Sequence, residues 1–138
     1  MSMNLVVLEH TVELPASPAE VYAALMNAKQ HAAFTGLPAK IAAKAGGAFT
    51  TCGGNNFGFN LTLEPGVRLT QAWSHRDLPA GHFTLVEFAL AKTKKGTRLR
   101  FTQIGVPRGA AKWLNRGWSE AYWQPLALYL DARRTSAR

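Results

Sequence analysis

The chain has a single cysteine, Cys52, among its 138 residues, so no disulfide can form within it. That usage fits a reducing compartment. Acidic side chains are also scarce, 8 against 16 Lys and Arg. No apolar stretch approaches the roughly 20 residues that a membrane helix requires. The opening run Leu5 to Leu8 is also too short for a signal peptide and has no basic flank. These absences set the expectation of a cytoplasmic protein with no membrane partner. No HExxH, GxSxG, CxxC or GxGxxG pattern occurs. Gly46-Gly47 and Gly53-Gly54 lack the Lys-Ser/Thr that completes a phosphate cradle and open no helix, so they are expected to be positive-φ turns. His10, His31 and His82 stand at no ligand spacing to one another or to Cys52. Neither a metal nor a cofactor is expected.

What is present describes a folded globular chain: 47% of residues are apolar and 17% charged. Without repeat, linker or low-complexity tract, residues 1–138 are expected to form one domain. Only Arg133 to Arg138 read as a frayed tail. The formal charge is +8, and Phe88 to Ser119 carries eight Lys or Arg and no acid. Such asymmetry attracts anionic partners or simply solvates one face. No aromatic-interleaved strand or recognition-helix pattern accompanies it, so nucleic acid is not expected as a partner.

Residues 5–14 read as a strand. Ser17, Pro18 and Glu20 then give an N-cap, a first helical residue and the third-position partner of a capping box, predicting a helix over Pro18 to Asn27. A second short helix over Lys29 to Phe34 should end at Gly36. From Pro38 the period changes to two, with turn signals at regular intervals, and predicts strands at about 39–45, 47–52, 57–64, 67–75, 83–92 and 97–105. Alternation gives inward faces Leu69-Gln71-Trp73-His75, Thr84-Val86-Phe88-Leu90 and Leu99-Phe101-Gln103. Phe57, Phe59, Leu61 and Leu63 share a face of the third of these six strands.

Pro107 to Asp131 is the longest segment with helical spacing and holds three of the four tryptophans. Leu114, Gly117, Trp118, Ala121, Tyr122, Pro125, Leu128 and Tyr129 form one broad apolar face. Trp123, Leu126 and Leu130 form a second stripe, open to a homodimer contact or to packing on the N-terminal helices. Pro125, inside the helix, predicts a kink. The order strand, two short helices, six strands, long helix is α+β: a curved antiparallel sheet with the long helix on its concave side.

LPASPAEVYAALMNAKQHAAFTG, the AGGAF turn, LEPGVRLTQAW, LPAGHF, GTRLRFTQIGVP and the GW…YW.PL..YL helix occur in order between His10 and Leu130. Together they resemble the homologues of the activator of the heat-shock protein 90 ATPase, of C-terminal-domain type, within the Bet v 1-like/START (SRPBCC) superfamily. The resemblance implies a helix-grip fold with a largely apolar cavity between sheet and helix, frequent dimerisation, and a chaperone partner in a stress-response setting. It transfers no catalytic residue.

A cavity lined by Trp73, Phe88, Phe101, Trp118, Phe34, Phe57 and Phe59 would suit a small hydrophobic or aromatic ligand, with Gln71, His75, Gln103 and Tyr122 to orient it. The alternative is that these aromatics fill the core outright. His75 with Asp77 two residues on could form an acid–base pair of a cyclase- or hydrolase-type enzyme, or a plain hydrogen bond. Cys52 reads as a buried, inert thiol rather than a nucleophile. The leading expectation is ligand binding without catalytic residues, with a chaperone-regulator role as the alternative.

Overall fold

The computed structural model describes residues 4–136. Strand β1 (Leu5–Leu14) leads into helices α1 (Pro18–Met26) and α2 (Ala28–Thr35). The capping box forms as the sequence implies: Ser17 Oγ accepts from the Glu20 amide at 3.2 Å, and the Ser17 amide donates to Glu20 Oε1 at 3.1 Å. Those bonds hold the Glu20 carboxyl below its ordinary range. Asn27 closes α1 and caps α2, accepting from the Gln30 amide at 3.0 Å. Gly36, with φ 78°, ends α2 in the left-handed conformation.

Strands β2 (Lys40–Ile41), β3 (Ala48–Thr51), β4 (Asn56–Glu64), β5 (Arg68–His75), β6 (Thr84–Thr93) and β7 (Gly96–Pro107) complete one sheet. Its order is β1-β7-β6-β5-β4-β3-β2, and every neighbouring pair is antiparallel. The expected strand at 39–45 shrinks to two residues. Ala42 to Gly47 close on themselves instead, the Lys44 amide on the Ala42 carbonyl and the Gly47 amide on that of Lys44. An Ala-, Lys- and Gly-rich stretch has no β-branched side chains to favour pairing there.

Pro107 ends β7, paired with Leu5, rather than starting the helix. A short turn, Arg108–Ala110, leads into α3 (Ala111–Gly117), a widened π turn (Trp118–Trp123) and α4 (Gln124–Ser136). Of the expected frayed tail, 133–136 continue α4, while 137–138 lie outside the described residues. The π turn stands just before Pro125, where the sequence predicts a kink. A proline ring crowds the carbonyl four residues back, that of Ala121, and one extra residue per turn relieves the conflict.

The widening also changes which side chains face the sheet. Leu114, Trp118, Tyr122, Trp123, Leu126 and Leu130 are all buried and make one continuous strip. Gly117, Ala121 and Leu128, expected on the broad face, are exposed, Leu128 at 73%. The second stripe is thus part of the first. Trp123 packs on Phe88, Phe101 and Trp118, and α4 lies on α2 and α1. Of the two alternatives for Trp123, Leu126 and Leu130, the described chain shows packing within itself: all three are buried.

The core lies between the concave face of the sheet and this strip. The inward faces predicted for β5, β6 and β7 hold: Leu69, Trp73, Val86, Phe88, Leu99 and Phe101 are buried. For β4 the alternation holds only to Asn60, and on the opposite side; a bulge between Asn60 and Thr62 then turns Leu63 inward, opposite Leu69 and against the core, so the four apolar residues do not share one face. Asn56, Gly58 and Asn60 face inward, while Phe59 is 48% exposed on the outer face and meets Phe83 there. A Cβ at Gly58 would stand 1.9 Å from the Ala72 carbonyl oxygen of β5 and 3.0 Å from the Phe49 ring of β3. No larger side chain fits at that position. The result is a helix-grip fold, with the C-terminal helix seated in the curve of the sheet.

Candidate functional site

Between α3, the π turn and the end of the central strand β5 lies a half-open cleft of about 180 Å³. Strand β5 supplies Trp73 and His75, and the helix supplies Leu114, Gly117, Trp118, Ala121 and Tyr122, with Trp113 at the rim. The opposite wall comes from Leu37, Cys52, Asn55 and Asn56. Cys52 reaches that wall through a loop of unusual backbone: φ is 53° at Cys52, 69° at Gly53 and 92° at Gly54. Glycine adopts such angles without cost, and Cys52 is the only other residue with positive φ among those described. Arg76 Nη1 donates to Asn55 Oδ1 at 3.1 Å and ties this loop to the end of β5.

The chemistry of the cleft is aromatic and uncharged. Among the described residues no Lys, Arg, Asp or Glu lines it. His75 Nδ1 accepts from the Asp77 amide at 3.0 Å, which leaves the ring proton on Nε2. The Asp77 carboxylate stands 3.9 Å from the same nitrogen, and the Trp113 ring packs edge-on at 4.8 Å. Burial pulls His75 below its ordinary value, and the Asp77 charge only partly opposes this. Burial pushes the Cys52 thiol and the Tyr122 phenol upward, so neither is presented as an anion near neutral pH.

Next to the cleft lies a small, more closed chamber of about 10 Å³. Trp73, Trp118 and Tyr122 wall both volumes, while Gln71, Phe88, His31 and Thr51 face the chamber alone. His31, 2% exposed, bonds the Tyr122 hydroxyl through Nε2. Burial lowers His31 to about 4, so the ring is neutral at pH 7.

The structure therefore brings together Trp73, His75, Trp118 and Tyr122 at the cleft, and adds Gln71 and Phe88 at the chamber. The other candidates lie elsewhere. Phe34 packs behind Tyr122, against His31 and Tyr129. Phe101 is core, 4.3 Å from Trp118 between ring centroids. Gln103 accepts from Trp118 Nε1 at 2.8 Å and donates to Thr84 Oγ1 at 3.0 Å, so it orients the tryptophan. Phe57 and Phe59 belong to the outer face and line neither volume, which corrects their assignment. Sequence reasoning missed His31, Thr51, Asn55, Asn56 and Trp113 as wall residues. His31 carried one readable signal, its place three residues before Phe34 on the buried side of α2.

A family model described as "Activator of Hsp90 ATPase homolog 1-like protein" matches residues 15–131. The chain belongs to that family. The human activator of 90 kDa heat shock protein ATPase homolog 1 is 28% identical over 108 residues, covering 78% of this chain and 32% of that protein. An uncharacterized protein of Schizosaccharomyces pombe is 28% identical over 117 residues, covering 85% of this chain and 34% of its own length. The chain thus spans about a third of the curated relatives it matches. A Plasmodium falciparum protein whose crystal structure is described as an HSP90 activator superposes with a TM-score of 0.85 at 20% identity, covering 94% of this chain and 97% of that one. That likeness concerns the fold. For this member of the Hsp90-activator homologue family, the cleft beside the π turn is where uncharged aromatic chemistry is concentrated.

Proposed function

We propose that this domain binds a small uncharged aromatic or apolar ligand, which it takes into the cleft beside the C-terminal helix. The observation that carries this reading is the half-open volume of about 180 Å³ walled by three tryptophans and Tyr122, with no ionised side chain on its lining. A dry cavity of roughly 150 Å³ accepts benzene, so the cleft suits a ligand of about one ring. His75, Asn55 and Asn56 offer neutral polar groups at its edge, enough to orient a ligand but not to hold a charge. Titration with toluene, followed through tryptophan emission and thermal unfolding, tests the reading. Binding should shift the emission and raise Tm, and Ala121→Phe, which fills the cleft from an exposed position, should abolish both effects. An unchanged Tm at toluene saturation removes it.

A second reading, regulation of a chaperone ATPase, is supported by the family match and by the human relative's name. It predicts that the purified protein stimulates a cognate Hsp90 ATPase. No stimulation over a range of stoichiometries removes it and leaves the ligand reading untouched.

A further inference from the structure

Among the described residues two buried polar atoms, His31 Nδ1 and Thr51 Oγ1, have no partner within hydrogen-bond distance, although the Thr51 hydroxyl lies near enough to the Tyr122 hydroxyl and the Cys52 thiol to favour their ionised forms slightly; both residues line the chamber. His31 is 2% and Thr51 3% exposed, so bulk water does not satisfy either atom. Leaving such a group unpaired in an apolar interior costs about 1–3 kcal/mol. Here two occur on one small volume, next to an ordered polar pair, His31 and Tyr122. The chamber's volume, about 10 Å³, is close to the least that admits one water, roughly 10–15 Å³.

From this we infer that the chamber is a built site for one uncharged oxygen, able both to donate and to accept, bridging His31 Nδ1 and Thr51 Oγ1. Charge is excluded because no ionised side chain lines the chamber to balance it. An ether or carbonyl oxygen only accepts, whereas a hydroxyl serves the threonine hydroxyl and either tautomer of the imidazole. Two sources supply such an oxygen: a water, or the hydroxyl of a ligand lodged in the cleft. The second source follows from the shared walls. Trp73, Trp118 and Tyr122 border both volumes, so the two are separated only by these shared side chains. This half rests on the cleft being a ligand site; the water half does not.

The test uses the whole protein and two probes that differ by one hydroxyl, toluene and para-cresol. In the free protein, nuclear Overhauser transfer from a long-lived water to the His31 ring and Thr51 methyl should appear, and Thr51→Val should remove it. Para-cresol should bind wild type roughly three- to tenfold more tightly than toluene, the worth of one buried hydrogen bond. That preference should vanish in Thr51→Val while toluene affinity stays the same, and the water signal should be lost in the para-cresol complex. A water signal that persists beside bound para-cresol, with no preference between the probes, assigns the site to water and overturns the ligand source. Absence of both the water signal and the preference overturns the inference entirely. If toluene itself fails to bind, the cleft reading falls, and the water measurement on the free protein still decides the chamber.

Discussion

His31 shows how one buried side chain sets the acid limit of the molecule. Its only bonded ring nitrogen meets the Tyr122 hydroxyl, and burial holds it at about 4 against 6.5 for an accessible imidazole. The folded state therefore binds fewer protons than the unfolded chain between those values. Its contribution is complete above pH 6.5, is lost as pH falls, and stops changing near pH 4. Each unit is worth about 1.4 kcal/mol, so the loss should reach roughly 3 kcal/mol. His75, lowered also by burial, acts in the same direction. Urea unfolding at pH 7, 6, 5 and 4 should show this decline, and His31→Gln should flatten most of it; an identical slope in the variant would show that other groups govern acid sensitivity. Little of this was readable beforehand. A histidine's burial depends on what the rest of the chain places over it, and α2 itself shows only a short polar-apolar alternation.

At the scale of elements, the C-terminal helix explains why a regular helical wheel misleads here. A strict 3.6-residue period separates Trp123, Leu126 and Leu130 from Leu114, Trp118 and Tyr122; the π turn places all six on one buried strip. Pro125 was visible, but the form of its kink depends on the carbonyl it displaces. Leu126 and Leu128 then separate the two descriptions. Leu126→Ala should cost about 2–5 kcal/mol as a cavity in the core, and Leu128→Ala, at 73% exposure, less than roughly 0.5 kcal/mol, by urea denaturation. Equal costs would mean that the helix keeps an unbroken α period. Strand β4 carries a related lesson. Its period of two was legible up to the bulge after Asn60, but the side was not, because the Ala72 carbonyl and the Phe49 ring on the neighbouring strands leave no room for a side chain at position 58. Phe59→Lys should therefore be nearly neutral, while Phe49→Ala should cost about 3–5 kcal/mol. A large loss from Phe59→Lys alone would place β4 the other way round.

The same two faces define the whole molecule. The outer face of the sheet carries a row of partly exposed apolar residues in register across the strands, Phe59 opposite Ala72, Ala72 opposite Leu85 and Leu85 opposite Ile104. The inner face has one cover, the strip from Leu114 to Leu130, and it meets residues from both ends of the chain: His10 of β1 accepts from Trp123 Nε1 at 2.7 Å and pairs with Asn115 Oδ1 at 2.7 Å. The first strand, the central sheet and the last helix therefore share one core, in which Trp73, Trp118 and Trp123 are all buried. A structure closed in this way cannot release its helix without exposing Phe88, Phe101 and Leu69 to water, so helix and sheet should be lost together. Thermal or urea transitions followed by tryptophan emission, which reports the helix–sheet contact, should coincide with those followed by far-ultraviolet circular dichroism, which reports the strands. A tryptophan transition that comes clearly first would show that the helix undocks from a surviving sheet; the cleft and chamber would then belong to a movable element rather than to the core.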